Sequence, residues 1–437
     1  MAAPATTHEA RDAAYRAQIA YLFDRSALFR DRLQAAGFAD AAAVGGLDRI
    51  DRLPLTEKDD LRASRSAKNP IGTHLACDRA DIARIYSTSG TTGTPSYIPL
   101  TARDVDDWVT ISSRSYAASG VRRGDRIATS YNAGPFVAGA ALAAFERLGL
   151  CHVPLGSGNT ERLMAAVQLL EVDAVALTPS YALHLAEWAV ARGIDLPATR
   201  VRHLMVAGEP GGGEPVLRAR LEAAWGAQVT EAMGIGDISV SLWGECPEQD
   251  GMHFSGDGLV HVELIDPETG AALAFEDGAR GELVYTHLRQ QAAPLLRFRS
   301  RDHVEVRMSP CPCGRPGPRV RCIGRTDDML IVRGVNVFPT ALRQVVAGFA
   351  PEVSGVILVT PAAPGVKQDP PLPVQVELGE GAALSETEAA ALAERIETEI
   401  RARLLVRVKV RPVPFASLPR SEYKSKLVRP AGEAARG

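Results

Sequence analysis

Short strand-like segments alternate with helical segments between residues 103 and 225, and this alternation constrains the fold more than any other feature. Each segment of four or five residues has the length of a buried strand, and a stretch with helical periodicity follows it. This order is typical of a layered α/β domain with largely parallel strands buried on both faces. The predicted strands are Arg126–Ser130, Cys151–Leu155, Ala174–Leu177 and His203–Ala207.

The periodicity changes after Gly258. Residues 259–265 and 281–286 alternate between apolar and polar side chains, which predicts antiparallel strands in a small barrel-like part. The polar run 325–328 ends this pattern, and the helices and strands after it predict a compact α+β domain of about 110 residues. We therefore predict an α/β fold with an N-terminal domain over residues 1–326 and a C-terminal domain over residues 327–437.

The composition narrows the class of function. The chain has 437 residues, 46% of them hydrophobic, and a formal net charge of −3. The weak net charge argues against a nucleic-acid or membrane partner. The N-terminal residues lack the basic and then apolar order of a signal peptide, so the expected location is the cytoplasm. In that compartment the six cysteines are expected to be thiols or metal ligands.

A loop rich in glycine and hydroxyl side chains, Ser87–Pro95, lies between two predicted strands. Glycines let backbone N–H groups turn toward an anion, and Ser and Thr hydroxyls add further donors. The loop lacks the Gly-Lys-Ser/Thr sequence of the Walker type. Taken alone, its composition is equally compatible with a phosphate-binding loop and with a polar hairpin turn.

Five motifs occur in one order along nearly the whole chain. Together they resemble the adenylate-forming superfamily and, more narrowly, the phenylacetate–CoA ligase family. The resemblance implies that a carboxylate attacks the α-phosphate of ATP, which gives an acyl-adenylate and pyrophosphate. It further implies that the C-terminal domain then rotates and that the thiol of CoA displaces AMP. The motifs are Ser87–Pro95, Ala207–Pro210, Arg299–Asp302, Gly324–Pro339 and Leu418–Lys424.

The resemblance implies an ATP site built from both domains. Lys424 would stabilise the negative charge of the transfer step, and Asp327 would be the hinge of the rotation. Apart from the motif, Lys424 would belong to a solvated basic tail, and Lys426 is the alternative lysine. The residues implied in binding ATP or AMP are Ser87, Ser89, Gly90, Thr91, Thr92, Gly93, Thr94, Gly208, Glu209, Pro210, Glu231, Met233, Gly234, Asp302 and Arg325.

An aromatic substrate pocket is also implied. Tyr131 and Phe136 have the spacing of the two family residues that flank an aryl ring, and the alternative for Phe136 is a place in the core. This loop has no Arg or Lys for a second acid group, so a small monocarboxylic aromatic or arylacetic acid is expected. The remaining pocket residues are Ala207, Gly208 and Gly234.

Asp237 stands where the family has a Mg²⁺ ligand, and its carboxylate is a hard oxygen donor; a plain surface carboxylate is the alternative. Four residues differ from the family pattern, namely Thr94, Met233, Gly236 and Tyr423. Two other functions stay open, and these four differences bear on the second of them. The acyl group could pass to an amine or to a carrier-protein thiol, or the chain could be a degenerate nucleotide sensor.

Two separated segments predict a structural zinc site. Cys246 and His253 lie in one segment and Cys311 and Cys313 in the other, which together supply the Cys₃His set of a closed tetrahedral site. Cys322 is a spare candidate, and the alternative is a group of buried or turn cysteines without a metal. The expected cofactors and co-substrates are therefore ATP, Mg²⁺, CoA and Zn²⁺, and a homodimer is the default assembly.

Overall fold

The computed structural model describes residues 6–87, 97–131, 139–156, 159–333, 335–363, 365–419 and 427–429. The chain divides into two compact units. Unit 1 comprises Met1–Leu177, Thr199–Val206 and Thr230–Arg321. Unit 2 comprises Thr178–Ala198, Ala207–Val229 and Cys322–Gly437. The predicted domain boundary at residues 326 and 327 stays a prediction.

Most predicted helices and strands are present within a few residues of their predicted bounds. The α-helices of the described residues are α1 (His8–Arg25), α2 (Ala27–Ala35), α3 (Ala41–Val44), α4 (Lys58–Ala63), α5 (Ala102–Tyr116), α6 (Gly139–Arg147), α7 (Thr160–Leu169), α8 (Pro179–Val190), α9 (Pro215–Trp225), α10 (Pro339–Ala347) and α11 (Glu386–Leu404). None of these helices is long and apolar enough to span a bilayer.

The strands are β1 (Ile82–Ser87), β2 (Tyr97–Thr101), β3 (Arg126–Thr129), β4 (Cys151–Pro154), β5 (Ala174–Leu177), β6 (His203–Ala207), β7 (Gln228–Ile235), β8 (Ser239–Glu245), β9 (Met252–Phe254), β10 (Val260–Ile265), β11 (Ala272–Leu273), β12 (Arg280–His287), β13 (Phe298–Arg307), β14 (Arg319–Arg325), β15 (Leu330–Val332), β16 (Val335–Val337), β17 (Val353–Val359), β18 (Lys367–Gln368), β19 (Leu372–Leu378) and β20 (Val408–Val413).

One sheet of twelve strands lies mostly in unit 1, in the order β11-β10-β12-β13-β14-β9-β8-β7-β6-β5-β3-β4. The pairs β4–β3, β3–β5 and β5–β6 are parallel, whereas the pairs β10–β12 and β12–β13 are antiparallel. The fold is therefore α/β, as predicted, and the antiparallel strands continue the sheet that the parallel strands begin.

Burial follows the predicted periodicities. All four residues of β5 are buried, as expected for a parallel strand covered on both faces. Along β13, buried and half-buried residues alternate without exception, as expected for a strand with one face toward the core. A continuous apolar run thus corresponds to a strand buried on both faces, and an alternating run corresponds to a strand buried on one face of the same sheet.

The C-terminal part of unit 2 has its own core. Two three-stranded sheets, β16-β15-β18 and β17-β19-β20, carry α10 and α11. Buried aliphatic side chains from these elements form one cluster, which includes Leu342, Val374 and Ile396. This is the α+β architecture that the sequence predicts after residue 328. Helices α8 and α9 complete unit 2.

Candidate functional site

Part of the predicted site lies outside the described residues. This applies to Lys424 and its alternative Lys426, to Phe136, and to most of the glycine- and hydroxyl-rich loop. The loop residues concerned are Ser89, Gly90, Thr91, Thr92, Gly93 and Thr94.

The two strands that flank this loop form an antiparallel pair. Ser87 is the register partner of Tyr97, so the two ends of the loop are adjacent. Tyr86 is buried and stacks on Trp108 of α5, with ring centroids 6.2 Å apart and an interplanar angle of 9°. The ring contact fixes the hairpin to a helix, and the loop begins one residue later.

Asp302 lies in a bulge of β13. One residue separates Glu282 from Val284 on β12, whereas three residues separate their partners Arg299 and His303 on β13. Asp302 is buried, and its backbone N–H donates to Ser300 Oγ over 3.0 Å. Bulges re-aim side chains and are common beside active sites. The predicted ribose ligand therefore has a backbone geometry that an unbroken ladder would not provide.

Two arginines hold this bulge in place. Arg299 binds the fully buried carboxylate of Glu282 through two hydrogen bonds of 2.9 and 2.8 Å. Arg301 has a φ of +66°, which is uncommon for a residue with a side chain, and its Nη2 lies 2.6 Å from Glu57 Oε2. The unusual backbone at Arg301 directs its guanidinium to Glu57, the residue before α4.

The segment before α4 is joined to β13 like an added strand. The N–H of Thr56 donates to Arg297 O, and the N–H of Arg299 donates to Thr56 O, both over 2.9 Å. This places Lys58, the first residue of α4, with its Nζ 3.0 Å from Asp237 Oδ2. The Asp237 side chain is only 4% exposed, so its charge is compensated mainly by Lys58.

Lys58 belongs to this site although no sequence motif includes it. A lysine in the first turn of a helix opposes the helix dipole, so a specific partner elsewhere is the usual reason for its presence. The position of Lys58 in the first turn of α4 could have indicated a partner. It does not identify that partner, because Asp237 is 179 positions away in sequence.

The turn after β6 contains Gly208, Glu209 and Pro210. Gly208 has a φ of +95°, which glycine adopts without strain. Glu209 Oε1 accepts a hydrogen bond of 2.8 Å from the N–H of Ser180 in the first turn of α8. The carboxylate thus caps a helix start, where negative charge is favourable. Ala207 is the last residue of β6.

Strand β7 carries Glu231, Met233 and Gly234. Glu231 is buried, and its N–H donates to Glu245 Oε2 over 3.0 Å. Met233 pairs with Trp243 on β8. A Cβ on Gly234 would lie 2.3 Å from Val240 O, so the close approach of β8 requires glycine here. Strand packing therefore explains the missing side chain at Gly234 without reference to a substrate pocket.

Two predicted residues have their polar groups engaged within the protein. Tyr131 follows β3 and is 8% exposed, and its hydroxyl donates to Leu177 O over 2.9 Å. Arg325 forms two hydrogen bonds of 2.9 Å to the carboxylate of Asp327. The roles of Tyr131 in the substrate pocket and of Asp327 as a hinge stay predictions.

The four predicted zinc ligands come together in unit 1. The ligand atoms of Cys246, His253, Cys311 and Cys313 all lie within 4.8 Å of one another. Cys246 Sγ is 3.7 Å from Cys311 Sγ, and Cys313 Sγ is 3.3 Å from His253 Nε2. Burial lowers the pKa of His253 to about 4, which keeps its imidazole neutral and available as a ligand. Cys322 is not part of this group.

Comparisons with known proteins agree with this architecture. Two family profiles match, one described as AMP-binding enzyme over residues 4–288 and one as AMP-binding enzyme C-terminal domain over residues 334–430. A protein of Thermus thermophilus named phenylacetate-coenzyme A ligase is 34% identical, over 92% of this chain and 92% of its own length.

Solved structures of 2-hydroxyisobutyryl-CoA ligase are also similar. Its postadenylation state, in complex with an acyl-AMP, has a TM-score of 0.87 at 25% identity and covers 99% of this chain and 94% of its own. Its thioesterification state, with acyl-AMP and CoA, has a TM-score of 0.69 at 27% identity and covers 97% of this chain and 89% of its own. From the profile matches and the extent of the Thermus relative, the chain belongs to the phenylacetate–CoA ligase family of AMP-binding enzymes, and it is an AMP-forming ligase that joins a carboxylic acid to CoA through an acyl-AMP.

Proposed function

We propose that the acid is a monocarboxylic aromatic or arylacetic acid of the phenylacetate class. The observation that carries the proposal is the 34% identity to a phenylacetate-coenzyme A ligase over 92% of the chain. The spacing of Tyr131 and Phe136 supports it, because two aromatic side chains favour a flat apolar ring between them. A nonenzymatic sensor is wrong for a member of this ligase family, and no observation favours an amine or a carrier protein over CoA.

A panel of acids tests the substrate class. Pyrophosphate release and loss of the CoA thiol should be measured with phenylacetate, benzoate and 2-hydroxyisobutyrate, the last being an acid of the structural neighbour. We expect kcat/KM to be at least about tenfold higher for an aromatic acid, which corresponds to ~1.4 kcal/mol of preferential transition-state binding. A higher kcat/KM for 2-hydroxyisobutyrate would refute the proposed class.

The reaction requires groups that hold ATP while the carboxylate attacks. The hydroxyls and N–H groups of Ser87–Thr94 bind the phosphates, and Asp302 accepts hydrogen bonds from the ribose hydroxyls. Lys424 stabilises the charge that develops as pyrophosphate leaves. The other residues assigned to the nucleotide are Gly208, Glu209, Pro210, Glu231, Met233, Gly234 and Arg325.

The residues around Asp237 fit a Mg²⁺ ion bound together with ATP. One carboxylate plus substrate phosphates is a common ligand set for Mg²⁺, and Asp237 supplies a nearly buried carboxylate. The bound ion would neutralise phosphate charge. Lys58 already binds Asp237 Oδ2, so it orients the carboxylate before the nucleotide arrives.

A structural zinc ion fits the Cys246, His253, Cys311 and Cys313 group. A tetrahedron with Zn–S bonds of about 2.3 Å has S–S edges of roughly 3.75 Å. The distance between the sulfurs of Cys246 and Cys311 is 3.7 Å, which matches such an edge. Three thiolates and one imidazole leave a net charge of −1 on the complex, and the nearby guanidinium of Arg319 complements it.

Metal analysis tests the zinc proposal. We expect about one equivalent of zinc in purified protein, and we expect Cys313→Ser to lose most of it while Cys322→Ser keeps it. Chelation should make the three ligand thiols reactive toward a thiol reagent. Native protein without zinc, with all thiols reactive, would refute the site.

We further propose that residues 327–437 rotate about Asp327 between the two half-reactions. Proline restricts φ, so Asp327→Pro should slow thioester formation more than acyl-adenylate formation. Equal losses in both half-reactions would argue against rotation at this residue. A homodimer and a cytoplasmic location also stay proposals, and light scattering and cell fractionation test them.

A further inference from the structure

An ion pair joins α10 to the residue that precedes α9, both in unit 2, and neither charged side chain belongs to the predicted site. Arg343 of α10 binds Glu214 through Nη2 to Oε1 at 2.5 Å and Nε to Oε2 at 3.2 Å. The side chains are only 12% and 15% exposed. The same Nη2 donates to Pro210 O over 2.8 Å. A two-point contact between planar groups specifies one relative orientation of the two helices.

A second arginine makes the reverse connection. Arg220 lies on α9 and its Nη1 donates to Ser354 O of β17, while its Nη2 lies 3.4 Å from Glu187 Oε1 of α8. Thus Arg343 extends from the C-terminal part to the start of α9, and Arg220 extends from α9 to the C-terminal part. Both guanidinium groups bind carboxylate or carbonyl oxygens, and water can form the same hydrogen bonds when the contacts open.

The surface between these contacts is not a packed core. A cavity of about 190 Å³ lies between α8, α9 and the C-terminal elements, with apolar lining such as Leu183, Val216 and Val356. The buried cluster of the C-terminal part contains residues from Leu330 to Val410 and none from α8 or α9. The C-terminal part therefore keeps its core intact if this contact opens.

We propose that the Glu214–Arg343 pair, supported by Arg220, is a latch that favours the adenylation arrangement and opens for thioester formation. The inference rests on the proposed rotation about Asp327. A latch made of charged groups suits such a motion, because both partners are hydrated when they separate.

The two half-reactions should be measured separately in Glu214→Gln, which keeps the shape of the side chain and removes its charge. We expect acid-dependent ATP–pyrophosphate exchange to fall about tenfold, which corresponds to ~1.4 kcal/mol. Single-turnover transfer from preformed acyl-AMP to CoA should stay within about twofold of wild type or accelerate. Equal losses in both half-reactions, or no change in either, would overturn the latch.

Arg395→Met is the matched control. Arg395 also makes a two-point contact, with both bonds to Glu352 at 2.9 Å, but both residues lie between 327 and 437. We expect this variant to leave the ratio of the half-reactions unchanged; a change equal to that of Glu214→Gln would overturn the latch. If Asp327→Pro harms both half-reactions equally, rotation fails and the latch fails with it. If Asp327→Pro slows one half-reaction more than the other but Glu214→Gln does not, only the latch proposal is wrong.

Discussion

Replacing Lys58 by methionine removes an ammonium group from a nearly buried carboxylate while retaining the apolar stem. At 3.0 Å the attraction between Lys58 and Asp237 is roughly 5 kcal/mol for an effective dielectric constant of about 20. Desolvation of Asp237, whose side chain is 4% exposed, offsets most of this attraction. We expect a net loss of ~1–3 kcal/mol, the usual cost of a buried polar group left without its partner.

Thermal unfolding at a fixed scan rate measures this loss. A change of this size lowers the unfolding midpoint by roughly 2–6 °C in a unit of this size. Asp237→Asn should restore most of the loss in the Lys58→Met background, because it removes the charge that was left unpaired. Strictly additive effects of the two substitutions would refute the reasoning.

The same helix offers a matched control. Arg62 binds Asp59 at 2.6 Å, but the Asp59 side chain is 82% exposed. We expect Arg62→Met to cost less than ~1 kcal/mol, because an exposed pair contributes little. Equal shifts for Arg62→Met and Lys58→Met would show that burial of Asp237 does not determine the outcome.

Three further perturbations test other parts of unit 1. Burial lowers the pKa of His287, and its neutral ring accepts a hydrogen bond from the N–H of Leu295. The contribution of His287 to the free energy of unfolding is therefore present above the pKa of about 6.5 that histidine has in the unfolded chain. This contribution is lost as the pH falls below that value. The unfolding midpoint should therefore fall more steeply between pH 7 and 5 in wild type than in His287→Gln, and parallel profiles would contradict this. Gly234→Ala should lower the midpoint by the equivalent of ~1–3 kcal/mol, because its Cβ would lie 2.3 Å from a backbone oxygen, and an unchanged midpoint would contradict the strand packing. Asp302→Asn should raise the KM for ATP about tenfold or more in a pyrophosphate-release assay, and an unchanged KM would remove Asp302 from the ribose site.

Local sequence patterns were sufficient for the parallel strands and for the metal-ligand group. The strand His203–Ala207 has the predicted bounds, because polar segments on both sides of a short apolar run define where the strand begins and ends. The ligands Cys246, His253, Cys311 and Cys313 were predicted by chemical type, and the structure brings their ligand atoms within 4.8 Å. The strand prediction depends on a short local run, whereas the ligand prediction depends on residue type, because Cys246 and Cys311 are 65 positions apart.

Features that depend on distant backbone contacts were not predictable. The bulge that contains Asp302 depends on pairing between β12 and β13, and no property of the residues themselves indicates it. The close approach of β8 to Gly234 is a further example, because a Cβ there would lie 2.3 Å from Val240 O; the role of Gly234 in the substrate pocket stays a prediction. The pairing of Lys58 with Asp237 could not be predicted either, since the two residues are 179 positions apart.

The attachment of the segment before α4 to β13 also has a consequence for biosynthesis. Glu57 and Arg299, which lie 3.3 Å apart, are separated by 242 positions in sequence. At a translation rate of roughly 5–20 residues per second, the ribosome needs about 12–48 s to make the partner after it has made Glu57. Asp237 follows Lys58 by 179 positions and is made before Arg299, so the nascent chain can complete the contacts of both Glu57 and Lys58 only after most of unit 1 has been synthesised.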